Sequence, residues 1–158
     1  MAIPHFPELP FESPSEGGLA IYFYPEDVDF DLAHPQAVSK WLQKVMEQEG
    51  KELLSLSYVF CSDEYLFRLN EEYLQHDTYT DVITFPYGGE NEVEGDIFIS
   101  IERVKENAAT FKTSFERELH RVMVHGLLHL CGYGDKGEEE TLLMRKKESD
   151  YLRQLEEG

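Results

Sequence analysis

The sequence predicts a single α+β domain in which a mixed sheet of about four strands packs against about five helices. The chain has 158 residues, of which 41% are hydrophobic, so it is long enough for one core and short for two. Strand patterns alternate with helical patterns in the first part of the chain, whereas helical patterns accumulate towards its end. This order is typical of one mixed sheet packed against helices.

The N-terminal segment differs in composition from the rest of the chain. Residues 1–18 contain four prolines and end in two glycines, so we expect a Pro-rich arm before a folded domain at residues 19–158. The segment "LAIYFYPED" alternates and predicts a first strand that ends at Pro25. The segment "HPQAVSKWLQKVMEQEGK" then predicts a helix, with Pro35 in its first turn and Gly50 at its end.

Three further strands and a helix are predicted in the middle of the chain. The apolar run at residues 53–61 predicts the second strand, and Ser62 and Asp63 are suitable caps for a helix through "EYLFRLNEEYL". "DVITFPY" predicts the third strand. "GGENEVEG" reads as a turn-rich connection, so that "DIFIS" forms the fourth strand as a hairpin partner of the third.

Three helices are predicted in the last part of the chain, at about residues 101–111, 115–131 and 138–156. Thr113 and Glu116 have the spacing of a capping box at the start of the second of them, and Gly132 suits its end.

Charge and cysteine content restrict the functions that the protein can have. The formal net charge of −18 argues against a protein that coats nucleic acid or anionic membrane through its overall field, so any contact with nucleic acid must be local. Cys61 and Cys131 fit neither a disulfide framework nor a C-x-x-C metal pair, which favours a reducing compartment. No window approaches the run of about 18 apolar residues that spans a bilayer, and no signal peptide is recognisable. We therefore expect a cytoplasmic protein without a membrane partner.

Two histidines interrupt the most apolar stretch of the chain. Between residues 122 and 131 every other position is apolar or glycine, which is typical of a buried helix. His125 and His129 lie four residues apart and share one helix face, which presents two nitrogens to one metal ion. The glycine-rich turn that follows brings a carboxylate, Asp135, as a third ligand, and a fourth position stays open for water.

The H-x-x-x-H spacing alone does not establish a metal site. His125 and His129 are equally compatible with buried imidazoles that hydrogen-bond to carbonyl or carboxylate groups. His120 is about 140° away from His125 around the helix and is not expected to be a ligand. The acidic run at residues 138–140 suits the start of a helix, although one of these residues is an alternative ligand if Asp135 is not.

Three stretches of the chain resemble the YbeY family of zinc-dependent endoribonucleases. "HGLLHLCGYGD" resembles the family signature H-G-x-L-H-L-x-G-Y-D-H, "LNEEYLQHDTYTDVITFP" resembles L-N-x-x-Y-R-x-x-D-x-P-T-D-V-L-S-F-P, and "GDIFIS" matches the strand between them. The resemblance extends from about residue 53 onward. It implies a zinc-hydrolase-like fold with one zinc ion per chain, and single-stranded RNA as the substrate. It also implies ribosomal RNA, the small ribosomal subunit and an assembly GTPase as partners.

The resemblance assigns roles to individual residues. His125 and His129 match the first two zinc ligands, and Asp135 stands where the family has a third histidine. A carboxylate is an acceptable zinc ligand, and its negative charge is expected to lower the acidity of bound water and to broaden the range of metals accepted. Leu74 stands where the family has an arginine thought to help the phosphate chemistry. His76 is a candidate substitute for that arginine, with a surface histidine of no consequence as the alternative.

Other residues near these motifs have two interpretations each. Thr80 and Asp81 match the family's T-D pair, and Asp81 either acts in the cleft, for example by holding a ligand imidazole, or satisfies backbone donors in a turn. A group of basic residues is the best candidate for contact with the RNA backbone, or is a set of ordinary solvated charges: Arg103, Lys105, Lys112, Arg117 and Arg121.

The leading hypothesis is a metal-dependent, single-strand-specific endoribonuclease that acts in ribosomal RNA maturation and ribosome quality control and uses metal-activated water. Asp81 and His76 are its candidate catalytic residues. A metalloprotease is the first alternative, weakened by Gly126, which stands where H-E-x-x-H enzymes have their catalytic Glu. A ribosome-assembly factor with a structural or vestigial metal site is the second.

Overall fold

The computed structural model describes residues 20–74 and 79–158. Within them the elements follow in the order β1 (Ile21–Pro25), α1 (Pro35–Gln48), β2 (Glu52–Cys61), α2 (Asp63–Leu74), β3 (Val82–Pro86), β4 (Glu92–Ser100), α3 (Ile101–Thr110), α4 (Phe115–Leu130) and α5 (Gly137–Glu157). These four strands and five helices of the described chain confirm the predicted α+β class.

The four strands form one mixed sheet in the order β1-β2-β4-β3. The pairs β1/β2 and β2/β4 are parallel, and β3 runs antiparallel to β4, as predicted for a hairpin. The parallel pairs need the crossovers that α1 and α2 provide, whereas a short turn suffices for the antiparallel pair. Helix α4 packs against both β4 and β3, so this side of the sheet supports the residues of α4 discussed below.

Helices cover both faces of the sheet. One face packs against α1, α3, α4 and α5 in a core that includes Leu42, Tyr58, Ile97 and Met123. The other face packs against α2, with Leu66 and Phe98 among its fully buried side chains. Burial of apolar area on both faces, at about 25 cal/mol per Å², is the main force that holds these layers together.

Helix α4 is the central helix of the larger layer. Its buried side chains surround most of its circumference, and the hydroxyl group of Tyr58 on β2 donates a hydrogen bond of 2.9 Å to the carbonyl oxygen of Met123. The predicted capping box is wrong by one residue. The cap is Ser114, whose hydroxyl group accepts a hydrogen bond from the N–H of Arg117. Thr113 is not the cap, because Lys112 before it adopts a left-handed conformation (φ 55°) and the N–H of Thr113 still bonds to Ala108 of α3.

Strand β4 begins earlier than the sequence predicts. Glu92 to Gly95 read as part of a turn, but they pair with β2, and the N–H of Tyr87 donates to the carbonyl oxygen of Glu94. Val93, the one apolar residue of this segment, is fully buried, which outweighs the low strand propensity of the acidic and glycine residues around it.

The predicted Pro-rich arm at residues 1–18 lies outside the described residues. In the described ranges, no helix combines the length and the apolar character that a bilayer span requires.

Candidate metal centre

Three of the predicted ligand residues come together at the end of α4. The Nε2 atoms of His125 and His129 are 3.0 Å apart, and Oδ2 of Asp135 lies 3.6 Å from the first and 3.5 Å from the second. In the described part of the chain, these three residues are the group that could hold a metal ion. None of the glutamates at residues 138–140 belongs to it, and His120 packs against the ring of Trp41 instead.

The hydrogen bonds of the two imidazoles determine which nitrogen atoms face each other. His125 Nδ1 lies 2.5 Å from a carboxylate oxygen of Glu148, and His129 Nδ1 lies 2.9 Å from the carbonyl oxygen of Tyr133. Both partners are acceptors, so both Nδ1 atoms carry the proton when the rings are neutral. The two Nε2 atoms therefore face each other with lone pairs, an arrangement that is repulsive without a cation between them.

The spacing of the three donors fits a small divalent cation. Donors at about 2.0 to 2.2 Å from a tetrahedral zinc ion stand about 3.3 to 3.6 Å apart. The two distances from Asp135 lie in this range, and the distance between the two Nε2 atoms is slightly shorter. Two imidazoles and one carboxylate are also a donor set that catalytic zinc sites use. The residues present therefore fit such a metal.

The turn after α4 positions Asp135. Gly132 has a φ of 106°, which favours glycine, and lets the chain leave the helix at once. The backbone beyond it is held by the first turns of α5: Glu140 accepts the N–H of Lys136, and the hydroxyl group of Thr141 donates to the carbonyl oxygen of Asp135. The acidic start of α5 therefore supports the loop that carries the third donor.

A second group of hydrogen bonds holds Tyr133, the residue whose carbonyl group contacts His129. The carboxylate of Glu49, at the end of α1, accepts hydrogen bonds from the hydroxyl groups of Tyr133 and Tyr151 and from the ammonium group of Lys147. Burial alone would raise the pKa of the Glu49 carboxyl, but these three donors hold the pKa below its ordinary value. Helices α1 and α5 are thereby tied to the turn that follows α4.

The contact between His125 and Glu148 belongs to a network of buried charges. Arg121, one turn before His125, donates from Nη1 to Glu148 at 3.1 Å and from Nε and Nη2 to Glu118 at 2.9 and 2.5 Å. Burial alone would raise the pKa of Glu148, but its hydrogen bonds to His125 and Arg121 hold the pKa below the ordinary value. Glu148 is therefore an anionic partner for the imidazole.

An open cleft of about 460 Å³ lies in front of the three donors. The residues that line it come from α2, the segment before β3, β3 itself and the end of α4 with its loop: Asn70, Leu74, Thr80, Asp81, Val82, Ile83, Thr84, His125, His129 and Asp135. Leu74 thus lies in the cleft, and these described lining residues include neither lysine nor arginine.

The structure describes one of the two predicted catalytic residues. Asp81 lines the cleft, accepts a hydrogen bond of 3.2 Å from Asn107 and lies 3.9 Å from Arg121. The carboxylate that lies against the imidazole of His125 belongs to Glu148 and not to Asp81. His76 lies outside the described residues.

Most of the predicted basic group is engaged in ion pairs. Arg103 binds Asp63 at 2.7 Å, and Arg117 binds Glu156 at 3.1 Å, while Arg121 is enclosed in the network described above. Lys105 and Lys112 are exposed. These arginines do not form the free positive surface that the sequence suggested.

Gly126 lies at a close contact between α4 and the sheet. A Cβ atom at this position would stand 2.9 Å from Cγ2 of Ile97 and 3.4 Å from Cγ2 of Thr84. The position therefore points at β3 and β4, away from solvent, and has no space for the glutamate of an H-E-x-x-H enzyme.

Sequence reasoning missed Glu148 and its partner Arg121 as parts of this centre. A signal for Glu148 exists in the sequence: it occupies the same helical stripe as the buried Met144, Tyr151 and Leu152. A carboxylate in an apolar stripe requires a buried partner, which here is a predicted metal ligand.

Comparison with known proteins points to one family. The family described as endoribonuclease YbeY matches residues 24–156. Endoribonuclease YbeY of Amoebophilus asiaticus is 49% identical over 133 residues, which cover 84% of this chain and 90% of the relative. The protein of the same name from Parabacteroides distasonis is 47% identical over 139 residues, with coverage of 88% and 98%. The solution structure of TM1509 from Thermotoga maritima superimposes with a TM-score of 0.61 at 29% identity, over 85% of this chain and 88% of that one.

Proposed function

The chain belongs to the YbeY family, and on this premise we propose that it is a metal-dependent endoribonuclease that cleaves single-stranded RNA during the maturation of ribosomal RNA. The observation that carries the proposal is the convergence of His125, His129 and Asp135 on one point of an open cleft. Catalytic zinc sites use three protein ligands, whereas structural sites close with four.

We assign the roles of ligands to these three residues and propose one zinc ion per chain. His125 and His129 offer neutral Nε2 donors, fixed by the hydrogen bonds at Nδ1, and Asp135 adds one negative charge. When bound there, zinc would supply a Lewis acid that lowers the pKa of bound water to about 7 in favourable sites and polarises a phosphoryl oxygen.

The residues of the cleft have their own tasks in this proposal. Asp81 and Thr80 offer oxygen atoms to a nucleotide or to an attacking water molecule, and Asp81 is held in place by Asn107. A catalytic role for Asp81 and for His76 is part of the proposal. The open shape of the cleft suits a strand that enters and leaves without threading through a channel, as an endonuclease requires.

The partners follow from the family. We propose that the substrate is ribosomal RNA, reached at the small ribosomal subunit with an assembly GTPase nearby in the cytoplasm, and that the activity serves ribosome quality control. The relatives carry the name endoribonuclease, which supports RNA as the substrate.

A ribosome-assembly factor without catalysis is the second candidate. It is favoured by Leu74, since a leucine offers no hydrogen bond to a phosphate where the family has an arginine. A metalloprotease is disfavoured by the close packing at Gly126.

The decisive experiment is cleavage of a labelled single-stranded RNA by metal-stripped protein that is titrated with zinc. His129→Ala, purified identically, controls for contaminating nucleases, and His34→Ala, which changes an exposed histidine at the start of α1, controls for histidine loss in general. We expect activity that rises with zinc in the wild type and in His34→Ala and is absent in His129→Ala. Equal inactivity of the wild type and His129→Ala, with zinc still bound by the wild type, would favour the assembly factor.

A further inference from the structure

The carboxylate of Glu148 is buried beside the candidate metal centre. Glu148 lies on α5, is 2% exposed, and reaches across to α4, where one of its oxygens is 2.5 Å from Nδ1 of His125. Its other oxygen accepts a hydrogen bond from Arg121. Burying a carboxylate costs several kcal/mol unless it is paired, so this position requires a compensating reason.

The charges of the network do not balance by themselves. Arg121 is the largely buried cation of the network, and it already forms a two-fold hydrogen bond with the carboxylate of Glu118, which is also 2% exposed. The exposed Arg145 lies 3.7 Å from Glu148, but solvent screens its charge. The two buried carboxylates therefore share one largely buried guanidinium group, which leaves one buried negative charge in excess. A neutral His125 donates a hydrogen bond but does not cancel that charge, whereas a divalent cation at the other nitrogen of the same ring would.

The two imidazoles differ in their partners. His129 donates to the neutral carbonyl group of Tyr133, whereas His125 donates to a full carboxylate. An anionic acceptor at Nδ1 makes the opposite nitrogen a stronger donor to a metal ion and also fixes the orientation of the ring. The centre is therefore electronically asymmetric, with His125 as the stronger of its two imidazole ligands.

We propose that Glu148 is the positioning residue of this centre: it holds His125 in the tautomer with the proton on Nδ1, aims Nε2 at His129 and Asp135, and raises the affinity for a divalent cation. This inference rests on the metal site of the proposed function and adds to it a residue outside the ligand set. Arg121 keeps Glu148 charged and in place.

The chain contains a matched control for Glu148. Glu118 has the same burial and the same guanidinium partner, but its carboxylate contacts Arg121 and not an imidazole. Glu148→Gln and Glu118→Gln each remove one buried negative charge while keeping the shape of the side chain. Glu148→Leu also removes the acceptor, so it separates charge from hydrogen bonding.

The test has two measurements. The first is the tautomer of His125 in metal-free protein, read from two-dimensional NMR spectra of histidine labelled with nitrogen-15. The second is the zinc affinity, measured by competition with a chromophoric chelator, with circular dichroism to verify folding. We expect the Nδ1-protonated form in the wild type and in Glu118→Gln, and a mixture of tautomers in Glu148→Leu. Zinc affinity should fall about 10- to 100-fold in Glu148→Gln and Glu148→Leu, and less than about threefold in Glu118→Gln.

The outcomes separate this inference from the proposed function. Equal zinc affinities in Glu148→Gln and Glu118→Gln, or a wild-type His125 protonated on Nε2, would overturn the role of Glu148 and leave the metal site intact. A wild type that binds no zinc would overturn both. If Glu148→Leu does not fold, Glu148→Gln decides the question, because its side chain has the same size.

Discussion

Replacement of Gly126 by alanine tests how closely α4 packs on the sheet next to the candidate ligands. The new Cβ atom would stand 2.9 Å from Cγ2 and 3.2 Å from Cδ1 of Ile97. Carbon atoms in favourable contact are about 3.5 to 4.0 Å apart, so one partner must move. Ile97 is fully buried and its branched side chain is stiff at χ1, so it cannot rotate away at low cost.

Two opposing terms determine the size of the effect. Overpacking of a core costs about 1 to 3 kcal/mol, whereas alanine in place of glycine gains about 1 kcal/mol in the interior of a helix. We therefore expect Gly126→Ala to lose about 1 kcal/mol of unfolding free energy. With a urea m-value of about 2 kcal/mol per M, the midpoint of unfolding should fall by about 0.5 M.

The double variant with Ile97→Ala isolates the clash. In that background the two crowded methyl groups are absent, so Gly126→Ala should stabilise the protein by about the helix-propensity term of 1 kcal/mol. Urea unfolding of the four proteins measures the coupling. A Gly126→Ala variant as stable as the wild type, or an equal loss in both backgrounds, would refute the packing argument. It would also reopen this position to the longer side chain that a metalloprotease requires.

Further predictions concern zinc affinity, the loss of stability at low pH, the reactivity of a buried thiol and the salt dependence of RNA binding. Asp135→Ala should weaken zinc binding at least tenfold in the same chelator competition, whereas Asp29→Ala, on an exposed loop, should not change it. The pKa of the Glu49 carboxyl is below 4.5 in the folded protein, so this group stabilises the fold above about pH 4.5 and stops doing so as the pH falls through its pKa in the folded state. Glu49→Gln should therefore reduce the loss of thermal stability on acidification. An unchanged dependence of the melting temperature on pH would contradict this prediction. Burial raises the pKa of the Cys131 thiol to about 11, so about one thiol in a thousand is ionised at pH 8. Alkylation of Cys131, monitored by mass spectrometry, should therefore be slow until urea unfolds the protein. RNA binding by zinc-loaded protein should show a log–log salt slope no steeper than about −2, and a steeper slope would reveal basic contacts beyond those described.

The sequence predicts the elements well where burial and turn chemistry agree. Pro35 begins α1, and Gly50, with a φ of 71°, follows its end, because both residues act through their own backbone preferences. The predicted fourth strand is shorter than β4, because the first residues of β4 are mostly acidic and become a strand only through pairing with β2. Such pairing is not encoded locally.

The sequence predicts the candidate ligand residues but not the distant side chains that hold them in place. His125 and His129 share a helix face by periodicity, and the glycine-rich turn indicates the return of the chain at Asp135. Glu148 lies 23 residues beyond His125, and the contact depends on how α5 crosses α4, which is a property of tertiary packing. The same holds for Glu49, which is 84 residues from Tyr133 along the chain.

The distribution of charge gives the metal centre a second role in the proposed function. The chain has a net charge of −18, and the described residues that line the cleft include no lysine or arginine. Arg121 lies behind the centre and is paired with two carboxylates. A phosphodiester that approaches this cleft would meet repulsion from Asp81 and Asp135 unless a divalent cation is held there. In the proposed function such an ion would attract the substrate as well as act as the Lewis acid, and a leucine at position 74 would then be tolerated. In this protein RNA affinity should therefore depend on the metal before any chemistry begins.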